Sequence, residues 1–86
     1  MFVYILFSKN IDRFYVGMSN NPDRRLIYHN IGKGGGNAFT KRAHDWQIVF
    51  TQKFVDKQSA SKFETHIKTQ KSRRYIKSLI KNKAPR

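Results

Sequence analysis

Cysteine is absent from the 86 residues, and acids are scarce: Asp12, Asp23, Asp45, Asp56 and Glu64 are the whole set. Without thiols there is no disulfide frame and no thiolate metal site, so the fold must rest on apolar packing. With a single glutamate, any carboxylate chemistry has very few candidates. Proline occurs twice. Long apolar runs are missing too. The longest, Met1 to Phe7, is seven residues, far short of the roughly 20 that cross a bilayer. It has no basic leader and no small-residue cleavage site, so neither an anchor nor a secretory signal is expected. A chain this short holds one core and buries only about 60% of its unfolded surface.

What is present is basic charge and aromatic area. Eighteen Lys and Arg against five acids leave a formal net charge of +13. A large anionic partner follows from that excess, and nucleic acid fits it better than a membrane surface. High charge alone would favour disorder. The aromatic fraction of 14% supplies the apolar area for a small core. One domain over residues 1–86 is expected, cytoplasmic, as a monomer or weak homodimer, with a frayed basic tail from Lys81.

Phe2–Phe7 and Phe14–Met18 read as strands, and the polar Ser8–Arg13 between them as a hairpin turn. Gly17 inside the second strand signals a bulge or a close backbone approach. Asn20–Asn21–Pro22–Asp23 is a helix start, with an Asn cap, Pro at the first position and an acid in the first turn. The helix runs to about Asn30. Ile27 and Ile31 mark its apolar side, and Arg25 and His29 share another face one turn apart.

Gly32–Gly36 is a glycine-rich loop. Its Lys33 lacks the Gly-Lys-Ser/Thr ending of a phosphate loop. Trp46–Val55 reads as a third strand. Asp56 caps a helix to about Gln70, with Ala60, Phe63 and Ile67 as its core face. Ser72 caps a last helix with Tyr75, Ile76, Leu79 and Ile80 as the stripe. The order is ββαβαα: an α+β fold with a small antiparallel three-stranded sheet flanked by helices.

Val3-Tyr4-Ile5 and Tyr15-Val16-Gly17, with tyrosines eleven residues apart, strongly resemble the paired motifs of the GIY-YIG nucleases. Arg25-x-x-x-His29 on the next helix and Glu64 on a later one are similar to that family's further motifs. The resemblance spans essentially the whole chain and is closest to small stand-alone bacterial members. It departs at Phe2-Val3-Tyr4, where the family name has Gly-Ile-Tyr. Phe39 and Thr40 stand where many members carry a second His or Tyr, and a late asparagine of some members has no secure match.

The resemblance implies an endonuclease or phosphodiesterase acting on DNA, single- or double-stranded, with RNA left open; the aromatics and the small size make single strands the guess. Its catalytic residues would be Tyr4, Tyr15, Arg25, His29 and Glu64. It favours water-mediated hydrolysis over a covalent phosphotyrosine. The chemistry can also be argued from residue types. Glu64 is the obvious ligand for a single Mg²⁺ (or Mn²⁺), because a two-metal site needs several converging carboxylates. Arg25 presents a planar fork to phosphate oxygens. A phenol is only about 0.1% ionised at pH 7. Arg25, a metal and the net positive field are expected to lower that pKa, so one tyrosine can act as general base. Tyr4 is the choice, with Tyr15 positioning water or phosphate, and the sequence leaves that order open.

Taken singly, these residues also have plain readings: strand aromatics for Tyr4 and Tyr15, a helix-surface residue for His29. Trp46 is either core or a stacking platform. His44 and His66 read as surface residues. From Lys68 onward there are eight Lys or Arg and no acid. Lys68, Lys71, Arg73 and Arg74 are therefore candidate phosphate contacts, with Lys33, Lys41 and Arg42 beside them. The rival function is a non-catalytic basic nucleic-acid-binding module.

Overall fold

The structure, a computed structural model, describes residues 1–31 and 42–83. Strands β1 (Phe2–Ser8) and β2 (Arg13–Ser19) are followed by helix α1 (Pro22–Asn30), strand β3 (Gln47–Lys53), and helices α2 (Lys57–Gln70) and α3 (Arg73–Lys83). The antiparallel sheet has the order β2-β1-β3, so β1 is the central strand. The expected ββαβαα architecture is borne out. The strand expected to reach Val55 ends at Lys53. The tail expected to fray from Lys81 is helical to Lys83. The Gly32–Gly36 loop lies outside the described residues.

Alternation along β1 divides the core. Val3 and Ile5 point to one face, where Val16, Phe50, Ala60 and Ile67 join them under α2 and α3. Tyr4 and Leu6 point to the other, with Trp46 and Ala43, and with Leu26 of α1 packed against them. The β1–β2 register is unbroken through Tyr4 opposite Gly17. The bulge allowed for at Gly17 lies instead on the β1–β3 side, between Ile5 and Leu6, where Val49 is the extra residue.

Local signals close the helices. The Asn21 side chain accepts from the Arg24 amide at 3.1 Å, and the Asp56 carboxylate accepts from the Ser59 amide at 2.7 Å. The Ser72 hydroxyl accepts from the Tyr75 amide at 3.1 Å. Lys71 ends α2 in the left-handed conformation, φ 49° and ψ 39°. No helix among the described residues is long and apolar enough to cross a membrane.

Candidate active site

The α1 face of the sheet gathers the tyrosines. Tyr4 from β1 and Tyr15 from β2 have ring centroids 6.5 Å apart, and the His29 ring lies edge-on to Tyr15 at 5.2 Å. Tyr4 is 1% exposed and His29 0%. Their polar atoms meet: Tyr4 Oη and His29 Nε2 are 3.1 Å apart. The helix turns His29 inward together with Pro22, and Leu26 packs on the same side. Ile27 and Ile31, expected to form the apolar side of α1, are 58% and 56% exposed. The helix is thus rotated relative to the hydrophobic reading. A histidine with a buried hydroxyl partner displaces isoleucine from the inner face, since a buried phenol needs that bond. His29 is not the helix-surface residue of the plain reading.

Gly17 makes room for Tyr4. A Cβ at residue 17 would stand 2.7 Å from Tyr4 Oη, 2.8 Å from Cζ and 3.0 Å from Tyr15 Cε2. The close-approach reading of this glycine therefore holds, and what approaches is a side chain.

The electrostatics differ from expectation in one respect. Burial pushes the Tyr4 phenol above its ordinary value of 10.0; Arg25 lowers it, but Tyr15 and the charge of Glu64 add to the upward side. The expected lowering by Arg25 is present and is outweighed by desolvation. His29 moves the other way. Burial first, and Arg25 second, hold it below its ordinary value of 6.5. At neutral pH both groups are uncharged, and the phenol O–H can donate to Nε2.

Glu64 comes from α2, a helix that packs on the opposite face of the sheet, yet its charge is felt by the Tyr4 phenol. Its side chain is 17% exposed, and its carboxylate pairs with Lys68 Nζ one turn on, at 3.5 Å. The aspartates are engaged elsewhere. Asp12 pairs with Arg73, Asp45 accepts from the Ser8 hydroxyl and the Asn10 amide, Asp56 caps α2, and Asp23 sits in the first turn of α1. Among the described residues no three His, Cys, Asp or Glu side chains converge. Glu64 is thus the one carboxylate not engaged in a cap, a turn or a hydrogen bond to another element, its partner being Lys68 on its own helix, and a metal pair would need further converging carboxylates. Lys68 is 52% exposed.

The candidate phosphate contacts are placed unevenly. Lys33 and Lys41 lie outside the described residues. Arg42, Lys71 and Arg74 are exposed. Arg73 is committed: its guanidinium makes a two-pronged pair with Asp12 (2.9 and 3.2 Å) and lies over the Phe14 ring at 5.2 Å. Trp46 is 2% exposed and belongs to the core, which removes the stacking-platform reading. His44 and His66 are exposed, as expected. The sequence reading missed Asn30. Its side chain donates to the Trp46 carbonyl at 3.0 Å and accepts from the Trp46 amide at 2.7 Å, tying the end of α1 to the start of β3. Its only sequence signal is an Asn at a helix end, which usually marks a cap.

The chain belongs to the GIY-YIG catalytic domain family, whose model matches residues 1–77. At the level of class, that is an enzyme domain of the nuclease kind. A UPF0213 protein of Staphylococcus epidermidis is 32% identical over 78 residues, 91% of this chain and 92% of that protein. A UPF0213 protein of Oceanobacillus iheyensis is 33% identical over 67 residues, 78% and 74% of the two chains. The "Structure-specific endonuclease subunit SLX1 homolog" of Giardia intestinalis is 43% identical over 58 residues. That match covers 66% of this chain but only 16% of the longer protein. No solved structure gives a significant match.

Proposed function

We propose that the protein is a nuclease that hydrolyses phosphodiester bonds in DNA with the help of a single Mg²⁺. The observation that carries this reading is the buried bond between Tyr4 Oη and His29 Nε2. A raised phenol and a lowered imidazole are both neutral at rest, which is the state a proton relay needs before it acts. As water attacks phosphorus and the bond to the leaving ester oxygen breaks, the water's proton passes to the Tyr4 oxygen, the phenol proton passes to His29, and the leaving oxygen takes a proton from solvent. The negative charge of a bound phosphodiester favours the imidazolium and draws that proton inward. Tyr4 thus works as general base without being a free phenolate beforehand.

Arg25, beside the Tyr4 hydroxyl, holds a non-bridging phosphate oxygen. Tyr15, half-buried at the mouth of the site, orients the water or the phosphate. Glu64 holds the Mg²⁺, or Mn²⁺ in its place, which when bound supplies charge relief to the phosphate. The endonuclease name of the SLX1 homologs supports the same reaction class here.

Purified protein is incubated with labelled single- and double-stranded DNA, in Mg²⁺, Mn²⁺ or EDTA, beside Glu64→Ala and Tyr4→Phe. Wild type cleaves only with metal. Tyr4→Phe slows cleavage by about 10²-fold or more, the usual worth of a general base, and Glu64→Ala abolishes it while DNA is still bound. If every form binds and none cleaves under any metal, the protein is a non-catalytic binding module. Cleavage that survives both substitutions removes this site from the reaction.

A further inference from the structure

Helix α1 carries both Arg25 and His29, but it has little apolar grip on the sheet. Leu26 packs into the cluster around Tyr4 and Pro22 is buried, while Ile27 and Ile31 face outward. A helix of nine residues gains most of its stability from packing, so one held by so little apolar surface depends on polar ties. These lie at its C-terminal end, one residue beyond His29. The Asn30 carboxamide makes two bonds to a single residue, donating to the Trp46 carbonyl and accepting from the Trp46 amide. Trp46 stands one residue before β3, past the end of the β1–β3 register at Phe7 and Gln47. The carboxamide pairs with it there as a neighbouring strand would. His44 adds a third tie, its Nδ1 donating to the Asn30 carbonyl at 2.7 Å. That carbonyl is one of the four that a helix end leaves without an intrahelical partner.

The anchor point is itself held. Asp45, between His44 and Trp46, accepts from the buried Ser8 hydroxyl at the end of β1 and from the Asn10 amide. Ala43 and Trp46 are buried in the same cluster as Tyr4. The end of α1 is thus bolted, through residues 43–46, to the strand that carries Tyr4.

We infer that Asn30 is a positioning residue: its clamp on Trp46 fixes the end of α1 so that the His29 ring meets the Tyr4 hydroxyl. Asn30 touches neither substrate nor the reacting atoms, and acts through His29. The Tyr4–His29 bond joins a strand to a helix across 3.1 Å, and a shift of about 1 Å in either element breaks it. A displacement of that size can cost about 10²-fold in rate. Two bonds to one backbone restrain both the translation and the twist of the helix end, which a single bond does not. The effect on cleavage rests on the nuclease reading; the placement of His29 does not.

Asn30→Ala, Asn30→Asp and Ser72→Ala are compared with wild type. Ser72 caps α3 on the other side of the sheet, so its loss weakens the fold without reaching His29. Long-range ¹H–¹⁵N NMR reads the His29 ring, its signals assigned by their loss in His29→Gln. In wild type Nε2 should be the acceptor and Nδ1 should carry the proton, as a bond from the Tyr4 hydroxyl requires. In Asn30→Ala the proton should shift towards Nε2. On labelled DNA in Mg²⁺, kcat should fall about tenfold or more and KM should change less than about threefold. Asn30→Asp keeps the acceptor for the Trp46 amide but sets a carboxylate against the Trp46 carbonyl. It should show the same changes, and it replaces Asn30→Ala if circular dichroism finds that variant unfolded. Ser72→Ala should keep the wild-type ring signals and kcat.

Wild-type His29 signals in both Asn30 variants, or shifted signals with kcat unchanged, overturn the positioning role. A loss carried by KM alone overturns it too, as does an equal change in Ser72→Ala, which would mark a general loosening of the fold. Shifted signals in the Asn30 variants, with no cleavage by any form under any metal, leave Asn30 positioning His29 and remove the nuclease reading. Metal-dependent cleavage by wild type, with the ring signals unmoved in both variants, does the reverse.

Discussion

At the scale of single residues, the site depends on a glycine and a histidine that fit one phenol. Gly17 has no room for a methyl group: the atoms in the way belong to the Tyr4 ring, which is buried and cannot rotate clear. Gly17→Ala should cost about 1–3 kcal/mol, the range for overpacking a filled core, and should displace the Tyr4 hydroxyl from His29. Chemical denaturation and the cleavage rate measure the two effects; an unchanged rate would mean the hydroxyl position is unimportant. His29 makes a second, pH-dependent claim. Its pKa is lowered on folding, so the unfolded chain binds the proton more readily. The stability it contributes is complete above its ordinary value of 6.5 and is lost as pH falls through the lowered value. Asp12, Asp45 and Asp56 are likewise held below 3.8 by their hydrogen bonds, and their share is lost only in stronger acid. The melting temperature should therefore fall between about pH 7 and about pH 5 in wild type and stay level in His29→Gln.

At the scale of elements, caps and hydrophobic stripes were legible, and partners were not. Asn21, Asp56 and Ser72 act within three residues of themselves, so local pattern finds them. The inner face of α1 escaped because it is chosen by Tyr4, twenty-five residues away on another strand. The same holds for Arg73, read as a phosphate contact: Asp12, sixty-one residues earlier, claims it. The ordered set of Tyr4, Tyr15, Arg25 and His29 was read through its resemblance to the GIY-YIG motifs, and the structure brings Tyr4, Tyr15 and His29 together. The rise of the Tyr4 pKa could not be read, since desolvation depends on how the faces close. The turn between α2 and α3 supplies a further test. Lys71 sits at φ 49°, where glycine has no Cβ penalty. Lys71→Gly should raise stability by about 0.5–1 kcal/mol in a urea titration, and a loss would mean that its side chain packs as well.

At the scale of the whole molecule, the +13 charge makes ionic strength a control on association. If about six phosphates are contacted, affinity should drop about 10³-fold between roughly 50 and 200 mM salt. Arg74→Ala, on the exposed side of α3, should flatten the log–log slope by about 0.7–0.9 if it is one of them. A slope unchanged by this substitution would place the phosphate track elsewhere. The sheet order has a kinetic consequence. β1 pairs with β2 across a short turn, but its other edge waits for β3, so that Phe2 lies opposite Lys53. The hairpin can form early, because its loop is short. Closing β1 against β3 ties a long loop and comes later. Trp46, at the start of β3, joins the cluster around Tyr4 only on that closure. The hairpin alone carries both tyrosine motifs, but the surface that buries Tyr4 is completed only when the non-local pairing of β1 with β3 is made.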